Sequence, residues 1–338
     1  MTEQLKLKLN DSKATRWGAL VIVAFTMMAA YYVNDVVAPL KTMLETDLAW
    51  SSTDFGFFTG GYSFLNVFFL MLIWGGLILD RFGIRFTGKL ATILMVGGTA
   101  LEYYAMTGLA GTDATLFGIN EIFGYKTGVF VAFAGYSIFG VGAEVAGITV
   151  SKIIAKWFKG KELATAMGVQ VALARIGSQA GYAVAIPLAR AFGISTPVLL
   201  GLVLLLGGMI AFFVFTVMDK KLDKQMEAAA IAAGTEDEEE KFSFKDVKNI
   251  LVNPGFWLIA LLCVLFYSCV FPFQKFASEL MIIKYGINEN VAGTFAGLPA
   301  LGALILTPIF GGFIDKRGKS ASIMILGCLL YTSDAADE

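Results

Sequence analysis

Gly76-Leu-Ile-Leu-Asp80-Arg81-Phe-Gly83-Ile-Arg85 and Gly311-Gly-Phe-Ile-Asp315-Lys316-Arg-Gly318-Lys319 are two copies of one short loop. Glycine, aspartate, cation and second glycine keep the same offsets in both. The pattern has a physical reading. The first glycine lets two helices approach closely. The aspartate can take a neighbouring cation or face a helix N-terminus, where negative charge is favoured. The second glycine permits a tight turn with positive φ. Each copy follows the second apolar run of its own series, so the chain reads as parallel helical repeats.

Outward from these loops the chain is apolar. Of 338 residues, 57% are apolar and 16% charged, against roughly 25% charged in soluble domains. Mean hydropathy is +0.71. A spanning helix needs about 20 apolar residues, and eight runs qualify, near 17–39, 54–79, 88–110, 127–150, 162–189, 196–218, 254–274 and 291–314. The first is long enough to span and stay rather than be cleaved. Several function classes drop out. A net charge of −1 does not suit nucleic acid, and there is no histidine. Cys263, Cys269 and Cys328 lack metal-ligand spacing, so no metal or other cofactor is expected. No nucleophile–base pair suggests an enzyme.

Positive charge sets the expected orientation. With the N-terminus inside, 20 of the 26 Lys and Arg residues fall on cytoplasmic segments, the asymmetry that orients multi-pass proteins. The expected organisation is a six-helix half over 1–218, a cytoplasmic linker over 219–253 holding the acidic run Glu236–Glu240, and the start of a second half over 254–327. Residues 328–338 read as translated sequencing adapter, in which case the native chain continues beyond Gly327.

Ionisable residues inside spans are costly and mark function. Glu144 and Arg175 stand on consecutive spans joined by Lys159-Gly160-Lys161. Glu144 is 16 residues before Gly160 and Arg175 is 15 after it. At about 1.5 Å per residue both lie some 22–24 Å above the turn, near mid-membrane. They can form a permanent ion pair or a site for a zwitterion, with Arg175 taking a carboxylate through its planar fork and Glu144 an ammonium. In the second case they would pair with each other when no solute is bound. A third alternative makes Glu144 a proton carrier. Tyr31 and Asp35, near the outer end of span one, can line the cavity or mark its boundary. Glu102 reads as interfacial. Lys275 can snorkel outward or line the outer vestibule.

The repeated Gly-x-x-x-Asp-[Arg/Lys]-x-Gly loop is that of the major facilitator superfamily, which the chain resembles over most of 31–319. Gly140-Val-Gly-Ala-Glu144, Trp157-Phe-Lys-Gly-Lys-Glu-Leu163, Ala174-Arg175-Ile-Gly-Ser178 and Val270-Phe-Pro-Phe273 are similar to the lysosomal dipeptide transporter branch. That resemblance implies an all-α polytopic bundle, twelve helices in two six-helix halves, about eight of them present here. It implies alternating-access transport of a small amphoteric solute such as a dipeptide, held by an acid on span four and an arginine on span five, Glu144 and Arg175 by position. Gly76, Asp80, Arg81, Gly83, Arg85, Asp315, Lys316 and Gly318 would be gating rather than ligand residues. The expected partners are a lipid bilayer and a small solute, not nucleic acid, and nothing indicates an accessory protein. An organic-anion carrier, a non-transporting receptor and a membrane enzyme are the alternatives. The short N-terminus, without a dileucine-type sorting signal, suits a prokaryotic cytoplasmic membrane. The acidic signature that proton-coupled peptide transporters carry on span one is absent, which speaks against proton coupling.

Overall fold

The computed structural model of the chain describes residues 8–110, 115–116, 118–233 and 251–306. The second loop copy at Gly311–Lys319, the acidic run and the 328–338 tail lie outside the described residues.

Polar caps set the helix starts. Helix α1 (Lys13–Val36) begins behind Ser12, whose side chain accepts from the Thr15 N–H. A 3-10 turn (Ala38–Leu40) and α2 (Lys41–Asp47) follow. Ser51 and Asp54 close a capping box on α3 (Ser52–Phe68), satisfying two backbone donors at its start. Then come α4 (Met71–Thr107), a hairpin of β1 (Glu121–Ile122) and β2 (Tyr125–Lys126), α5 (Thr127–Trp157), α6 (Leu163–Phe192) and α7 (Thr196–Ala233). Asn253 with Pro254 at the first helical position starts α8 (Pro254–Tyr285), and Gly286 at φ 64° ends it. Asn288 caps α9 (Glu289–Ala296).

Among the described residues five helices are long and apolar enough to cross a membrane, or six if the bent α3–α4 pair counts as one span. The boundaries differ from the expected runs in two places. The second run breaks at Leu70, which adopts φ 51°, and α3 and α4 meet at 58°. Between the second and third runs Gly83, at φ 75° and ψ 171°, kinks the chain where the turn is expected. The sixth run does not stop at 218, because α7 continues to Ala233 into the expected linker. Two contacts carry it onward. Leu222 is fully buried, and Gln225 accepts the Leu9 backbone N–H at 2.8 Å.

Packing in the first half does not follow chain order. Helix α5 packs on α3 and α4, and α6 packs on α1, with little direct contact between α5 and α6. The core between them is aromatic and aliphatic, with Tyr136, Phe139, Trp157, Phe212 and Phe215 fully buried. The bundle has a basal end, where α1 starts and α5 turns into α6, and a distal end with the hairpin and the 3-10 turn. Helices α8 and α9 join the first half at the distal end, against the 3-10 turn and α6. The basal part of α8, from Pro254 to Phe273, is almost wholly exposed.

Candidate solute site and its ionic layers

Close backbone approaches position the mid-depth charges. On α5, a Cβ added to Gly140 would stand 2.4 Å from the Tyr62 carbonyl oxygen, so only glycine admits α3 at that distance. The crossing brings the Tyr62 hydroxyl to Glu144 one turn further on, where it donates to Oε1 at 2.8 Å. On α6, a Cβ at Gly177 would stand 2.1 Å from the Met28 carbonyl oxygen of α1. That crossing sets the Arg175 guanidinium over the Tyr31 ring, 5.6 Å from its centroid, a favourable cation–π placement. Tyr31 feels the charges of Arg175, Glu144 and Asp35, and Tyr267 of α8 is a neighbour.

The expected empty-site ion pair is not formed. No Arg175 nitrogen comes within 4.0 Å of a Glu144 oxygen, and among the described residues the Arg175 guanidinium makes no hydrogen bond or salt bridge. The reason is the helix arrangement, since α6 leans on α1 while α5 leans on α3 and α4. Both side chains are half-buried. A charge at mid-membrane without a protein partner costs about 3 kcal/mol; among the described residues Glu144 has the Tyr62 hydroxyl and Arg175 only the Tyr31 ring.

Asp35 belongs to a different layer. Lys275 of α8 is half-buried and turned inward rather than snorkelling. Its Nζ donates to the Asn34 carbonyl oxygen at 2.5 Å and to the Tyr136 hydroxyl at 3.1 Å, and lies 3.8 Å from Asp35 Oδ1. Asn34 is in the last turn of α1, where carbonyls lack helical partners and the dipole favours a cation. Further out, Lys41 Nζ meets Glu45 at 2.8 Å, Ser52 at 2.9 Å and Glu279 of α8 at 2.5 Å. Tyr182 donates to the Gln274 carbonyl oxygen at 3.2 Å, and Arg190 pairs with Glu289 of α9. These contacts tie the two halves together at the distal end.

At the basal end the ionic contacts among described residues stay within the first half. Asp219 of α7 is fully buried and takes Lys156 at 2.8 Å, the Trp157 indole N–H at 3.1 Å and Arg85 at 3.7 Å. Arg85 and Lys156 also reach Asp223, at 2.9 and 2.5 Å. Asp80 takes Lys152 of α5 at 2.9 Å, not a cation of its own loop. Arg81 stacks over exposed Phe82. Gly83 has the positive φ its position implies. The close approach expected at Gly76 occurs at Gly75 instead, where an added Cβ would meet Val145 of α5 at 2.6 Å and Gly76 would meet nothing. Glu162 pairs with Arg16 at 3.1 Å and Lys13 at 3.4 Å. The hydrogen bond from Arg16 is the main reason its carboxyl is held below the usual range.

Residues 20–333 match the Major Facilitator Superfamily. The chain belongs to that superfamily. It is an integral, multi-pass helical membrane protein with the major facilitator fold. The chain is similar to the lysosomal dipeptide transporter MFSD1 of Homo sapiens, 26% identical over 321 residues, covering 91% of this chain and 63% of that one. It is similar to the Danio rerio protein of the same name, 26% identical over 321 residues (92% and 64%). The Gallus gallus protein is 30% identical over 215 residues (60% and 46%). The chain thus spans less than two thirds of the length of these relatives. Among solved structures, that of a D-xylose–proton symporter superposes with a TM-score of 0.55 at 16% identity, over 89% of this chain and 69% of that one, a likeness of fold alone.

Sequence reasoning reached Glu144 and Arg175 through their shared depth. It did not reach Asp219, which abuts Lys220-Lys221 and reads as an ordinary end of span. Nor did it reach the pairing of Tyr62 with Glu144. The signal for its pairing with Glu144 lies in Gly140, which permits the crossing.

Proposed function

We propose that the protein carries a small amphoteric organic solute, of the dipeptide or amino-acid class, by alternating access. Glu144 takes the ammonium and Arg175 the carboxylate. The observation behind this is the pair of half-buried, oppositely charged groups at one depth that do not satisfy each other. The Arg175 guanidinium has five donors in a fixed fork and offers them to whatever enters beside Tyr31. Glu144 keeps Oε2 free while Tyr62 holds Oε1. The name shared by the curated relatives supports the dipeptide class.

In this reading the basal end is cytoplasmic, following the Lys and Arg bias. The distal ties then correspond to a state closed to the outside, and rocking of one half against the other exchanges access to the site. Gly76, Asp80, Arg81, Gly83 and Arg85, with Asp315, Lys316 and Gly318 in the second copy, act in that rocking and not on solute.

A second reading rests on a specific asymmetry. Among the described residues Glu144 has a hydrogen-bond partner and Arg175 has none, which suits an organic anion held by Arg175 alone. Thermal unfolding of the full-length protein with dialanine, single amino acids, sugars and monocarboxylates separates the two. Loss of the dialanine shift in both Glu144→Gln and Arg175→Ala supports the zwitterion site. An acid that still stabilises Glu144→Gln supports the anion carrier. Equal shifts in wild type and both variants would sink both readings.

A further inference from the structure

Glu102, near the distal end of α4, has no place in the solute site. Its side chain is fully buried, and among the described residues both carboxyl oxygens lack any hydrogen-bond partner. The backbones of α4 and α5 are in close contact beside it. Gly98 and Gly135 meet backbone on backbone, an added Cβ at Gly135 standing 2.6 Å from the Gly98 carbonyl oxygen and 2.9 Å from the Glu102 nitrogen. The nearby cation is Lys275, but an ammonium has three donors, and these face Asn34, Tyr136 and Asp35. Among the described residues, the titratable groups facing Glu102 are Tyr136 from α5 and Lys275 from α8, with Asp35 of α1 beyond Lys275. Helix α7 has no acidic or basic residue before Asp219, and α3 carries only Asp54 at its capped start. The distal cluster therefore holds two acids, Asp35 and Glu102, for one base, and the base is taken by Asp35. An ionised carboxylate left dry with no donor costs several kcal/mol, and such a group takes a proton instead.

We propose that Glu102 is a proton-binding site, and that closing the distal end around Lys275 takes one proton onto a Glu102 carboxyl oxygen. The proton comes from water on the distal side, and Glu102 passes from carboxylate to carboxylic acid. Withdrawal of α8 removes Lys275, admits water beside Tyr136 and lets the proton leave the same way. Acid on the distal side thus favours closure. This rests on the alternating-access reading, but not on the identity of the solute. The site lies on α4, so it is separate from the span-one acidic signature that the sequence lacks.

The test uses the full-length protein and two readouts. The first is the infrared carbonyl stretch of a protonated carboxyl at pH ~8, far above the ordinary Glu value of about 4.3. The expected result is a band in the wild type that Glu102→Gln deletes and Glu102→Asp shifts. Absence of the band overturns the proposal. The second is the closed-to-open ratio from spin labels on Phe192 and Ile283, exposed positions on α6 and α8. One linked proton gives up to about a tenfold rise in that ratio per unit fall in pH. Glu102→Gln should stay closed and lose the dependence. A pH dependence that persists in Glu102→Gln assigns it to another group and also overturns the proposal. Neither readout needs solute, so failure of dialanine to stabilise the protein would sink the dipeptide reading and leave this one standing on its own result.

Discussion

The mid-depth charges and the terminal ionic layers differ in one respect. At both ends nearly every ionic group is matched. Lys41 fills all three of its donors, and Asp219 sits between Lys156, Arg85 and the Trp157 indole. At mid-depth Arg175 meets only an aromatic face, and Glu144 only one hydroxyl. Glu102 near the distal end is the exception to the matching at the ends. The two ends also differ from each other. The described distal contacts cross to α8 and α9, whereas the described basal contacts stay within the first half. A latch has to bridge the parts it holds, so the distal contacts are the ones that the proposed rocking would break.

The contrast can be broken in graded ways. The largest stability loss is expected at the basal end. Asp219→Ala strands Lys156 beside a fully buried gap and should cost about 3 kcal/mol, the lower end for a broken buried pair because Asp223 remains as a partner. Denaturation in detergent would read it. Arg175→Ala should do the opposite, leaving the solute-free protein as stable as wild type or more so, since it removes an unpaired charge, while losing ligand stabilisation of about 2.7 kcal/mol at a hundredfold excess over Kd. If Arg175→Ala destabilises the empty protein as Asp219→Ala does, the mid-depth pair is structural.

The distal latch sharpens the comparison at intermediate size. Lys275→Met removes three contacts that bridge the halves but none within the first half. It should raise labelling of a cysteine at Tyr31 from the distal side severalfold, with little change in thermal stability. Unchanged labelling would mean that Lys41–Glu279 and Arg190–Glu289 hold that end alone.

The smallest effect concerns Glu162. Its carboxyl is held below the usual range by Arg16 and its neighbours, so its contribution is present above the unfolded value of about 4.3 and fades as pH falls through the lower folded value. Glu162→Gln should therefore melt slightly below wild type at neutral pH and together with it in acid. A gap that widens in acid contradicts the assignment.

The fold was legible where covalent geometry or depth speaks. Gly83 had to turn, and it has φ 75°. Glu144 and Arg175 are placed at one depth by the sequence because a short turn fixes both counts. What stayed hidden depends on which helices are neighbours. Chain order pairs α5 with α6, but Gly140 and Gly177 draw them to α3 and α1, so the expected ion pair gives way to Tyr62 and Tyr31. Lys275 reads as a snorkelling end because its partners, the Asn34 carbonyl and the Tyr136 hydroxyl, are ordinary groups that gain meaning only at the end of α1. Leu70 breaks an apolar run that carries no glycine or proline at that point, and no local signal marks it.

The central claim is that Glu144 and Arg175 are left unsatisfied for a ligand that satisfies both. The most direct measurement is calorimetric binding of dialanine to the full-length protein, set against its N-acetylated and C-amidated forms, in wild type, Glu144→Gln and Arg175→Ala. The account predicts that wild type binds the free dipeptide and loses affinity for either blocked form. It further predicts that Glu144→Gln no longer distinguishes the acetylated form, and Arg175→Ala no longer the amidated one. Equal affinity for all three forms in the wild type would contradict it.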